Sequence, residues 1–88
     1  MYHYFFKVLG YFAMDNGEAF SLKQRIGQRV LDLRTAKGYG VREFALLADV
    51  EHHQIINIEK GRTDMRVSTL YKIAVGLGIT LSELLEFE

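Results

Sequence analysis

The chain contains no cysteine, which excludes disulfides and thiolate metal sites and suits a reducing compartment. Charge of either sign is not in excess: eleven Lys and Arg offset eleven Asp and Glu. A uniformly basic nucleic-acid binder is thereby excluded, because phosphate binding draws on positive charge. Any such binder of this composition must concentrate its cations locally. No apolar run is long enough to span a bilayer. No alternating strand pattern occurs between residues 21 and 88, which leaves an all-α fold. Eighty-eight residues support one domain with a single modest core.

What is present is unevenly distributed. Residues 1–20 hold seven of the eleven aromatics: Tyr2, Tyr4, Phe5, Phe6, Tyr11, Phe12 and Phe20. This stretch is broken by Lys7 and lacks the basic start and small-residue cleavage site of a secretory signal. Three readings stay open for it. It is an arm that packs on the domain or on a twin subunit; it is disordered, or an upstream extension of a chain whose working start is Met14; or it associates with a membrane. Asp15-Asn16-Gly17 is a turn signal that separates this arm (1–20) from the domain (21–88).

Three helices flank or follow a central two-helix motif. Ser21-Leu22-Lys23-Gln24 has capping-box spacing, so a first helix is expected to begin at Leu22. Leu22, Ile26, Val30 and Leu33 step at three or four and form its inward stripe, and Gly38 ends it. Between Val41 and Gly61 lie two short helical segments joined by a tight turn. Phe44, Ala45, Leu47 and Ala48 have helical spacing in the first, where Ala45 is small enough for a close crossing. Asp49 interrupts the pattern and Val50 plugs the turn. The second segment, from about Glu51, keeps Ile55 and Ile58 inward while His52, His53, Gln54 and Asn57 point elsewhere. A fourth helix with Leu70, Ile73, Ala74 and Leu77 inward stops at Gly78. Thr80-Leu81-Ser82-Glu83 is a second capping box that opens a last helix.

The 41–61 pair fits a helix-turn-helix, and four blocks extend the match: IGQRVLDLR (26–34), KGYGVREFA (37–45), ADVEHHQIINIEKG (48–61) and STLYKIAVGLGITLSELL (68–85). In order and spacing, over about two-thirds of the chain, they resemble the phage-repressor-like (xenobiotic-response-element type) helix-turn-helix domains. The resemblance implies a five-helix, lambda-repressor-like DNA-binding domain. It also implies an ion pair between Arg34 and Glu59 that fixes the angle of the recognition helix, and a two-fold contact through Leu81, Leu84, Leu85 and Phe87. This sequence departs from the family at four places. Gly40 and Val41 replace the usual Ser and Gln opening the second helix, Asp49 replaces a turn glycine, and Glu51 replaces a serine. Asp tolerates the left-handed turn. Glu51 repels phosphate while suiting the positive helix end, so binding is expected to be weaker or more selective.

Base contact is expected from His52, His53, Gln54 and Asn57, Asn57 being suited to bidentate pairing with adenine. A solvated helix face is the plain alternative. Phosphate contact is expected from the amides of Val41 and Arg42 and from Lys60, Arg62, Thr63 and Arg66. Adjacent histidines diverge by about 100° on a helix, so the His52-His53 pair is no metal site. No nucleophile or positioned acid has a suggestive spacing, so neither enzyme activity nor a cofactor is expected.

The sequence thus points to a sequence-specific regulator of transcription, a repressor by preference. It would bind double-stranded DNA as a homodimer in a prokaryotic, nucleoid-associated cytoplasmic setting. The rival reading is an antitoxin-type interaction module that grips a small toxin and binds its own promoter.

Overall fold

The computed structural model describes the backbone of residues 16–86, with side chains from Ser21 onward. The expectations placed on residues 1–15 and on Phe87 lie outside the described residues. Five helices follow one another: α1 (Asn16–Ala36), α2 (Val41–Ala48), α3 (His52–Glu59), α4 (Val67–Leu77) and α5 (Leu81–Leu84). The described residues contain no strand.

The first helix corrects the sequence reading. It is helical from Asn16, not from Leu22, and so takes in Asn16 and Gly17 of the turn signal and runs through the Ser21 cap. Asn and Gly suit the first turn of a helix as well as a tight turn, and a Ser-x-x-Gln spacing inside a helix caps nothing. The other boundaries fall where the local chemistry puts them. Asp49 adopts the left-handed conformation (φ 56°, ψ 47°) that ends α2. The amide of Val50 then donates to the carbonyl of Ala45 at 3.0 Å, and the Val50 side chain is buried beneath the turn. At α5 the Thr80 hydroxyl accepts from the Glu83 amide at 3.1 Å, and the Glu83 carboxylate accepts from the Thr80 amide at 2.9 Å. That reciprocal cap lets a helix of only four residues form.

All five helices feed one core. α1 contributes Leu22, Ile26 and Val30; α2 Phe44, Ala45 and Ala48; α3 Ile55 and Ile58; α4 Leu70, Ile73, Ala74 and Leu77; α5 Leu84 with Leu85 just beyond it. Leu33 is only half-buried, packed against this cluster. Two close crossings set the geometry. Gly76 of α4 lies under Ala48, whose Cα is 3.0 Å from where a Cβ on Gly76 would stand. Gly27 of α1 lies under the end of α3, where a Cβ would overlap the Ile58 carbonyl oxygen and reach within 2.9 Å of that of Glu59. The second contact presses α3 onto α1 backbone to backbone, so the helix after the turn is held from behind.

Candidate nucleic-acid interface

The inward side of α3 is anchored by Ile55 and Ile58, both essentially without solvent contact. Its far end is tied to α1 by an ion pair. Arg34 donates from Nε to Glu59 Oε2 at 2.6 Å and from Nη2 to Oε1 at 2.9 Å. Its third nitrogen, Nη1, donates to the Tyr39 carbonyl at 2.8 Å. Both side chains are nearly buried, at 10% and 8% exposure. The hydrogen bond to Glu59 raises the guanidinium pKa against the opposing effect of burial, so Arg34 stays charged. A planar fork on a planar carboxylate fixes direction as well as distance, and here it sets the tilt of α3 relative to α1.

The opposite side of α3 is open. His53 and Gln54 are exposed, and His52 and Asn57 half-buried. Glu51 is the N-cap residue, so the helix proper begins at His52, and the Glu51 carboxylate makes no capping hydrogen bond. The two imidazoles stack, with centroids 4.3 Å apart and planes inclined by 30°. The His52 pKa is lowered, first by desolvation, then by the nearby charge of Arg42 and by His53, with Glu51 opposing. A neutral imidazole carries one donor and one acceptor, which suits a base edge better than an imidazolium, a donor at both nitrogens.

Two grooves flank this ridge. One is bordered by Arg42, Asp49, Glu51, His52 and His53. The other is bordered by Gln54 and Asn57 on α3, by Thr63 and Arg66 in the loop, and by Ser68 and Lys72 on α4. The six side chains expected at bases or phosphates between Gln54 and Arg66 therefore fall into two groups. Gln54, Asn57, Thr63 and Arg66 meet at one groove, while Lys60 and Arg62 are exposed near the end of α3. The Thr63 hydroxyl donates to the Asp64 carbonyl at 3.2 Å. Asp64, the acid in this basic rim, pairs with Lys23 at 3.2 Å. Across the turn, α2 begins at Val41 after an extended Gly40 that supplies no side-chain cap. The first amides of that helix, at Val41 and Arg42, have no carbonyl partner within it. Ser68 and Lys72 were not anticipated. They lie on the next helix, beyond the 60–66 loop, and only the placement of α4 beside α3 brings them to the groove.

The expected two-fold contact is altered. Leu84 and Leu85 are buried inside the subunit (0% and 3% exposed), because α5 closes the bottom of the core. They therefore serve the core of the subunit itself. Leu81 is half-buried against the same core. Among the described residues no group of three or more His, Cys, Asp or Glu could hold a metal ion. No described helix is long and apolar enough to cross a membrane.

A helix held from behind by a buried ion pair, following a tight turn and opening a polar ridge to solvent, defines a DNA-binding regulator of the helix-turn-helix type. Residues 27–86 match the family model for a helix-turn-helix domain, and the chain belongs to that family, of the xenobiotic-response-element type. It is 38% identical over 64 residues to control protein C.MunI from a Mycoplasma species, a match covering 72% of this chain and 86% of that protein. It is 31% identical over 62 residues to the HTH-type transcriptional regulator DdrOP3 of Deinococcus deserti, covering 70% of this chain and 48% of the relative. Among solved structures, the restriction-modification controller protein C.AhdI from Aeromonas hydrophila superposes with a TM-score of 0.68 at 31% identity, covering 70% of this chain and 94% of that one. An HTH_3 family transcriptional regulator from Vibrio cholerae gives 0.71 at 29% identity, covering 74% of this chain and 36% of its own.

Proposed function

We propose that the protein is a regulator of the controller type that represses transcription by occupying a promoter as a homodimer. The outward face of α3 reads base edges through His52, His53, Gln54 and Asn57. The α2 amides at Val41 and Arg42, with Lys60, Arg62, Thr63 and Arg66, hold phosphates and set the register. The observation that carries this reading is the openness of the α3 polar ridge beside a locally basic loop, in a chain with no net charge. The match to 94% of the restriction-modification controller C.AhdI favours a compact controller over the longer regulators. Action is by binding alone, without catalysis or cofactor. The promoter upstream of the protein's own gene is the first target to try. The antitoxin reading gains no support from these relatives.

Gel shifts on that upstream DNA, with the mass of the complex measured by sedimentation, test the proposal. Two subunits per duplex are expected on half-sites about one helical turn apart. With about four to six phosphates neutralised per dimer, log affinity should fall with log salt at a slope of about −4 to −5. Binding no tighter than to random competitor, or one subunit per saturated site, would overturn it.

A further inference from the structure

The outward side of α3 carries one side chain that neither the core nor the polar ridge uses, that of Ile56. It is half-buried. It belongs neither to the core nor to the partly buried apolar residues packed on it. Ile55 and Ile58 mark the inward side of α3. At about 100° per residue, Ile56 is turned about 100° from the first and about 160° from the second. The same spacing makes its neighbours His53, three residues before it, and Lys60, four residues after it. Both are exposed, and Asn57 follows directly. Isoleucine is a mediocre helix former, stiff at χ1, and offers no hydrogen bond. On a face otherwise built from imidazole, amide and ammonium groups it can gain only from an apolar partner.

The major groove supplies such a partner at one kind of base pair, because thymine projects its 5-methyl group there. We propose that Ile56 is a specificity-determining residue that packs against a thymine 5-methyl group in each half-site, beside the base read by Asn57. The inference rests on the reading of α3 as the helix that enters the groove. Within that reading it adds an apolar contact to a face otherwise described by hydrogen bonds. It also favours thymine over cytosine at one position, where an amide or imidazole alone would not see the methyl group.

The test uses the full chain and a duplex recovered by selection from a randomised pool. Each thymine is replaced singly by uracil, symmetrically in both half-sites, which removes the methyl group and nothing else. At one position the wild-type protein should lose about fourfold in affinity per half-site, the value of one buried carbon. Ile56→Ala should abolish that loss while keeping the response to uracil elsewhere. Ile56→Val, which keeps both branches at Cβ and guards against a folding defect in the alanine variant, should show an intermediate loss. Equal responses to uracil at every position in wild type and both variants would overturn the assignment. If the wild type selects no sequence from the pool, the reading of α3 itself fails and the contact with it.

Discussion

The two sides of α3 are built on opposite terms. Behind it, Ile55 and Ile58 are sealed, Arg34 grips Glu59 through two nitrogens, and Gly27 lets the α1 backbone approach two carbonyls directly. In front, two stacked histidines, two amides and an isoleucine stand against solvent, with no ion pair among them. The back spends its interactions on position, whereas the front leaves its groups available. For a reader of base edges this division is sensible, because hydrogen bonds to bases discriminate only if the donors arrive in a fixed frame. It also explains how a chain with no net charge can serve. On the proposed reading the precision comes from the scaffold, and the cations needed at phosphates are few and local.

The contrast breaks most severely at the ion pair. Arg34→Ala should leave the nearly buried Glu59 carboxylate without its partner and cost about 3 kcal/mol of folding free energy, read by chemical denaturation. DNA affinity should fall with it, although neither residue faces the groove. Gly27→Ala comes next. The new methyl has no room against backbone carbonyls, so α3 must move, and a loss of about 2 kcal/mol is expected together with weakened DNA binding. The front should behave differently: His53→Ala and Asn57→Ala should leave stability within about 0.5 kcal/mol of wild type. A melting curve for either that drops as far as that of Gly27→Ala would mean the two sides are not separate in function.

The smallest effect lies away from α3. Thr80→Ala should cost about 1 kcal/mol by removing the cap on α5, with no change in sequence preference. Its pH dependence has a definite sign. The hydrogen bonds from Thr80 lower the Glu83 pKa below its ordinary value of 4.5. A lowered carboxylate pKa adds stability that is fully present above 4.5 and is lost as the pH falls through the folded-state value. The alanine variant keeps the Thr80 backbone amide, the larger cause, so both proteins should lose stability as the pH falls through that value. The difference between them, followed by denaturation across acid pH, should narrow only by the share of the hydroxyl.

Much of this arrangement is legible in the residues because it is encoded locally. Asp49 and Gly78 have the chemistry of left-handed stops, Thr80 and Glu83 that of a reciprocal cap, and Leu70, Ile73, Ala74 and Leu77 a clear helical stripe. The start of α1 was misread because Asn16, Gly17 and Ser21 carry signals that a turn, a cap and a helix interior all permit. What the pattern does not reveal depends on distant parts of the chain meeting. Nothing near Gly27 announces that Ile58 will press on it, and nothing near Lys72 announces the groove it shares with Asn57. Leu84 and Leu85 were expected at a subunit contact, but a small core needs them first. Arg34 and Glu59, 25 residues apart, could be paired only through the family resemblance.

The most direct test of the whole account is binding-site selection from a randomised duplex pool, run in parallel for wild type, His53→Ala and Asn57→Ala. The expected result is a two-fold symmetric consensus for the wild type. Each variant should lose information at its own few adjacent positions and keep the rest. An identical consensus for all three proteins would show that the open face of α3 does not read the bases, and the account would be wrong.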